Sequence, residues 1–224
     1  MATWMVHLRI ADKLIDEICE LSQTEFVVGN IAPDSGIPNE DWSVFTPSGD
    51  ISHFKTTDND GFKVIHLNEY VDNYYSVELR KRYNTKQKSF YLGYLTHLLA
   101  DIMWADNVVR PSKDRFIELF NKNKTEWIWT LKKDWYDLDF LYIKNNPNFR
   151  AFSIYNNAIG FCNEYLDFFS IDAFDIRREY ITGFYNGKKD TLDREYPYLT
   201  EEEMDLFVDK SADKIAHIIK KEYS

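Results

Sequence analysis

The chain is expected to fold as an all-α, single-domain bundle of several helices over 1–224, and three observations predict this. Apolar residues recur at three- and four-residue intervals along most of the 224 positions. Only 8 Gly and 6 Pro occur, and half of them crowd between Gly29 and Gly61, which leaves one long loop region and helical patterns elsewhere. Apolar residues make up 44% of the chain and aromatic residues 17%, enough for a large, ring-rich core and too much for a disordered chain.

The first helix is predicted over 4–21, where Val6, Ile10, Leu14, Ile15 and Ile18 form an apolar stripe opposite Asp12, Lys13, Asp16, Glu17 and Glu20. His7 lies near that stripe. The apolar run that begins Phe26-Val27-Val28 is broken by Gly29 and ended by Pro33-Asp34-Ser35-Gly36, a turn in which the Asp side chain can bond the backbone two residues on. Residues 37–61 read as loop, and within them Ile51-Ser52-His53-Phe54 sets a histidine among apolar neighbours, a reason for the loop to dock there. His66 has no acidic partner at ligand spacing and reads as structural.

Helices are expected over 68–82 and 85–106, joined by a polar turn around Asn84, and a third over 112–142 with Ser112 as N-cap after the breaker Pro111. That third pattern carries Trp127, Trp129 and Trp135 as core rings. After the break at Asn145-Asn146-Pro147-Asn148, helices are expected over 149–169, 173–186 and, following the Thr200/Glu203 capping signal, 201–223. Tyr74, Tyr75, Tyr155 and Phe161 read as core packing, and Cys19 and Cys162 as buried thiols. His217 stands among Lys214, Lys220 and Lys221 and is no ligand candidate.

A net charge of −10 and a pI near 5.0 exclude a nucleic-acid footprint and disfavour anionic membrane surfaces. A small phosphorylated substrate stays compatible, because bound divalent cations reverse the local field. No window approaches the roughly 18 apolar residues of a membrane span, and charged Arg9, Asp12 and Lys13 follow the first residues too closely for a signal-peptide core. The expected location is cytoplasmic.

Within the 85–106 pattern, Leu95, Leu98, Leu99 and Ile102 mark an apolar face, and His97 and Asp101 are i, i+4 neighbours on one side. An imidazole and a carboxylate one turn apart can hold a metal ion or form a hydrogen-bonded core pair. Four stretches bear on the choice: Trp4-Met5-Val6-His7, Gly29-Asn30-Ile31-Ala32-Pro33-Asp34, Ser52-His53-Phe54, and the segment from Gly93 through His97 to Asp101. Together they resemble the zinc-dependent phospholipase C family, over about residues 4–106.

The resemblance implies the helical fold of the phospholipase C and P1 nuclease type and a metal site made by Asp34, His53, His97 and Asp101, with Asp101 bridging to a second ion that His7 also binds. Such a donor set suits Zn²⁺, as one or two ions, or another divalent transition metal. The implied activity is hydrolysis of a small phosphorylated or ester substrate, with Asp34 orienting or deprotonating the attacking water. The family adds two histidines and a glutamate downstream, whereas no histidine occurs here between Ile102 and Ala216 and Asn107 stands about where the first would be. A third ion would need Asp106, Asp134, Asp137 or Asp139 and is not expected. Secreted members also use the freed α-amino group of an N-terminal Trp; Trp4 follows Met1-Ala2-Thr3, so the second site is expected to be one or two ligands short. The competing reading is a non-catalytic, partner-binding helical module whose ligands hold a structural ion or are relics. No adjacent His-Asp pair, the mark of another helical phosphohydrolase superfamily, occurs.

Overall fold

The computed structural model of the chain describes residues 1–59, 61–187, 189 and 191–223. It is 66% helical and 5% strand, as the all-α reading requires. Helix α1 (Trp4–Ile15) is capped by the Thr3 hydroxyl and stops well short of residue 21. The stripe fades after Ile15, and Glu20 turns the chain with φ of 57°.

Helix α2 (Gln23–Ile31) occupies the apolar run that the sequence left unassigned, and it passes directly into a 3₁₀ turn, Ala32–Asp34. Two short antiparallel hairpins, β1 (Ile37–Pro38) with β2 (Phe45–Thr46) and β3 (Lys55–Thr57) with β4 (Lys63–Ile65), enclose the single turn α3 (Gly49–Ser52). The helix predicted over 68–82 is broken. Helix α4 (Leu67–Tyr70) runs into a wide π turn, Val71–Tyr75, and Ser76 leaves helical geometry to cap α5 (Val77–Arg80).

Helix α6 (Thr85–Trp104) starts at a capping box in which the Asn84 and Gln87 side chains each serve the other's backbone N–H. It continues through a π turn, Ala105–Val109, into α7 (Arg110–Arg115), so Pro111 lies within a continuous helical path just after the wider turn. Ser112 is therefore not an N-cap. The predicted 112–142 helix is instead α7, α8 (Ile117–Lys122) and α9 (Lys124–Asn145), the last capped by Asn123. Helix α10 (Arg150–Asn157) ends twelve residues before 169. The next segment is irregular because the Asn163 side chain takes over the backbone's hydrogen bonds, accepting from the Tyr165 and Leu166 N–H groups and donating to the Leu166 and Phe169 carbonyls. Helices α11 (Ala173–Asn186) and α12 (Glu201–Ile218, with its Thr200/Glu203 capping box) start where the sequence places them.

Buried side chains form one cluster from Ala2 to Ile219, with α6 at its centre and residues 89–101 buried all round. Its closest neighbour is α2, and two glycines permit the approach. A Cβ on Gly29 would stand 2.1 Å from the Phe90 carbonyl oxygen, and one on Gly93 would stand 2.1 Å from that of Phe26. Trp127 and Trp135 are core rings, but Trp129 is 61% exposed: two positions along a helix is a 200° rotation, so it cannot share the face of Trp127. Cys19 and Cys162 are exposed, lying in the turn after α1 and the irregular segment after α10, contrary to the buried-thiol reading. Among the described residues no helix is long and apolar enough to cross a membrane.

Candidate metal centre and its cleft

Each of the five singled-out side chains is placed by a local feature. The α2–α6 glycine crossing brings the Asn30 carbonyl within 2.8 Å of His97 Nδ1, which donates to it and leaves Nε2 aimed inward. His53 closes α3; its Nδ1 lies 3.0 Å from both the Gly49 carbonyl and the Ser52 hydroxyl. Beyond it, Phe54 adopts φ of 51° and packs edge-on against Tyr70, Tyr74, Tyr94 and Phe168, which docks the loop. Ile51, also read as a docking residue, is 55% exposed. Asp34 ends the 3₁₀ turn after α2, and the His7 ring, fully buried on α1, stacks on His97 at 3.7 Å.

The inward-facing atoms converge. His53 Nε2 is 3.2 Å from His97 Nε2, 3.3 Å from Asp34 Oδ1 and 3.7 Å from Asp101 Oδ2, while His97 Nε2 is 3.6 Å from Asp101 Oδ2. Ligands about 2.1 Å from one tetrahedral ion stand roughly 3.4 Å apart. On the other side, His7 Nε2 lies 3.4 Å from Asp101 Oδ1, which also accepts from the Ala2 N–H at 2.7 Å. Two groups thus have the spacing to hold a cation, Asp34/His53/His97 and His7/His97/Asp101. Both His7 ring nitrogens and Asp101 Oδ2 are buried without a hydrogen-bond partner, which fits a missing cation better than a finished core.

Electrostatics separates the imidazoles. Burial pushes His7 down to about 4 with help from His97, against the pull of Asp101. Burial also lowers His53, against Asp34, whereas at His97 burial is outweighed by the neighbouring Asp101 carboxylate, which raises it. Burial opposes ionisation of Asp34 and Asp101 too. The His53 hydrogen bond and the neighbouring rings hold Asp34 far below the carboxylate range, and the Met1 ammonium, His7 and His97 do the same for Asp101. Neutral imidazoles and ionised carboxylates are the forms that bind metal.

Asp34 and His53 line a cleft of about 560 Å³ whose walls include Trp42, Phe45 and Tyr180. Three cations near the centre were not singled out in the sequence: Lys132 and Arg177 in this cleft, and Lys55 in the neighbouring one, which Asp101 also lines. Arg177 had left a signal, since it interrupts the apolar face Phe174, Ile181, Tyr185 of α11. The four acids considered for a third ion are committed elsewhere. Asp134 and Asp137 pair with Arg194, Asp106 with Arg110, and Asp139 accepts from the Thr3 and Tyr185 hydroxyls. His66 is exposed and bonds the Thr56 hydroxyl, away from the centre. Tyr75 and Tyr155 are core residues, Tyr74 stacks on Tyr70, and Phe161 stacks on Tyr165.

Comparison with known proteins supplies a family. The family model described as zinc dependent phospholipase C matches residues 6–221, nearly the whole chain and well past residue 106, where the resemblance legible in the sequence ends. No curated protein and no solved structure matches. The chain belongs to the zinc-dependent phospholipase C family.

Proposed function

We propose that this member of the zinc-dependent phospholipase C family is a metal-dependent phosphoester hydrolase, with Asp34, His53 and His97 holding one divalent transition ion and Asp101 joining it to a second place beside His7. The observation that carries this reading is the 3.2–3.7 Å convergence of two imidazole nitrogens and two carboxylates beside an open cleft. Neutral nitrogen donors with ionised oxygen donors suit zinc. When bound, such an ion supplies Lewis acidity at the phosphoryl group and makes water more acidic.

The protein's own groups do the rest. The Asn30 and Gly49 carbonyls fix the His97 and His53 tautomers, so the Nε2 lone pairs stay directed at the site. Asp34, the carboxylate that borders the cleft, orients the attacking water as an acceptor; held far below the usual carboxylate range, it is a weak base. The cleft rings displace water around the substrate's organic part. A cleft beside the donors is also what a purely structural ion would not need, which weighs against the partner-binding alternative.

Elemental analysis of the purified protein, with p-nitrophenyl phosphate hydrolysis on the same samples, tests the reading. One or two equivalents of zinc are expected, with metal lost and hydrolysis down at least about 100-fold in His97→Ala and His53→Ala. Protein that stays metal-free when zinc is offered, or hydrolysis that survives chelation, overturns it.

A further inference from the structure

A cavity of about 490 Å³ lies between α12 and the path that runs from the end of α6 through the π turn into α7. It shares no lining residue with either cleft at the metal centre. Its volume is that of a small-molecule site. Met103, Val108, Leu199 and Phe207 give it a buried apolar wall, and Leu206, also in the lining, is 50% exposed. Asn107 and Val108 belong to the π turn, a distortion that recurs at functional sites.

Two hydroxyls in this cavity are left over. A buried serine or threonine in a helix commonly donates to the carbonyl one turn back, and Ser89, Thr96 and Thr182 do so at 2.7, 2.9 and 2.8 Å. Thr3, Ser35 and Ser52 find partners as well. Ser112 on α7 and Ser211 on α12 are just as buried, 6% and 4% exposed, yet neither hydroxyl has a hydrogen-bond partner among the described residues. The two exceptions among the buried Ser and Thr side chains line one cavity.

Charge singles out the same wall. Asp205 and Asp209 of α12 turn to α1, where Arg9 and Lys13 stand 2.5 and 2.9 Å away. Lys210 and Lys214 of the same helix line the cavity one turn apart, with no carboxylate at ion-pairing distance among the described residues. Like charges at this spacing repel each other. The other charged pair of the lining, Arg115 and Glu203, is matched internally at 3.3 Å, so the wall keeps the two ammonium charges as a surplus.

We propose that this cavity binds a fatty-acid anion, its carboxylate held by Lys210, Lys214 and the hydroxyls of Ser112 and Ser211, its chain laid along Met103, Val108, Leu206 and Phe207. A carboxylate offers about four acceptor sites, and two ammonium groups with two hydroxyls meet them. The apolar wall removes the chain from water. The site is separate from the metal centre and does not rest on the hydrolase reading.

Titration calorimetry at pH 8 on zinc-loaded protein freed of excess metal, with decanoate below its micelle concentration and 1-decanol as the neutral comparator, tests the site. Saturable decanoate binding is expected, with Kd of about 10–100 µM. Lys210→Glu and Lys214→Glu change exposed side chains, so circular dichroism should show the native fold, and each should weaken decanoate about tenfold. Ser211→Ala should weaken it about threefold. Decanol should bind roughly tenfold more weakly than decanoate in the native protein and equally well in both lysine variants. Decanoate binding should also survive chelation of the metal. No saturable binding by the native protein, unchanged decanoate affinity in the variants, or equal affinity for decanol overturns the proposal. Loss of binding on chelation overturns it as well, by moving the ligand to the metal centre.

Discussion

Asp134 and Asp137 on α9 and Asp101 on α6 are equally buried, each 2% exposed, but they face different partners. Arg194 bridges the α9 pair, with Nη1 2.7 Å from Asp134 Oδ1 and Nη2 2.6 Å from Asp137 Oδ2; Lys189 lies 2.5 Å from Asp137 Oδ1, and the Tyr198 N–H donates to Asp134 Oδ2. Charge is balanced inside the fold, and the segment leading to α12 is pinned to α9. Asp101 and Asp34 have no Lys or Arg at ion-pairing distance among the described residues; their neighbours are the imidazoles of His7, His53 and His97 and, for Asp101, the Ala2 N–H. Burial of a carboxylate therefore says little about its role. Whether the chain supplies the cation separates a staple from a site that has to import one.

The sharpest way to break this contrast is to neutralise one member of each cluster. Asp101→Asn keeps the shape and is expected to lose bound metal and at least about 100-fold in hydrolysis, while the Tm of the metal-free protein moves by less than about 4 °C. Arg194→Met strands Asp134 without a counter-charge and leaves Asp137 only Lys189, and should cost about 3 kcal/mol, roughly 6–12 °C in Tm, with metal content per folded molecule unchanged. Elemental analysis and thermal unfolding on both variants decide it. A collapsed Asp101→Asn, or metal lost from Arg194→Met, would erase the distinction.

The two clusters were unequally legible in the sequence. His7, Asp34, His53, His97 and Asp101 stood out because residues of one chemistry sit in short recognisable stretches, and the fold brings them into two groups that share His97. The Arg194 staple joins residues about 60 positions apart with no local pattern, and periodicity carries no such information. The same limit applies to the fold. Helices α6, α11 and α12 were readable from spacing and caps, whereas α2 was missed because Gly29, a breaker by propensity, is required by the close crossing on Phe90. The segment after α10 looked helical from its apolar content, but the Asn163 side chain captures the bonds a helix would use. Lys132 left no pattern at all, and Arg177 left one only as a charge on an apolar helical face.

Asp139 stands between the two clusters and gives the finest test. It lies on α9 two positions beyond Asp137, but its partners are hydroxyls: Thr3 Oγ1 donates to Oδ1 at 2.8 Å and Tyr185 to Oδ2 at 2.7 Å. Burial pushes its pKa up to about 7, overcoming the Tyr185 and Thr3 hydrogen bonds that favour the carboxylate. Because Thr3 caps α1 and the preceding Ala2 N–H reaches Asp101, this acid positions the segment that borders the metal centre. Between the unfolded value near 3.8 and about 7, the folded protein keeps a proton that the unfolded chain has released. The unfolded state then binds fewer protons, so this group's contribution to stability falls as pH rises through that window and levels off above it. Asp139→Asn removes the titration and keeps one acceptor and one donor for the two hydroxyls. The variant should be more stable than the native protein at pH 8 by about 2 kcal/mol, roughly 4–8 °C in Tm, with the gap closing toward pH 4. Thermal unfolding across that range checks it. A gap that does not change with pH would mean that Asp139 keeps one charge state throughout, and would place it with Asp134 and Asp137 among the acids the fold itself satisfies.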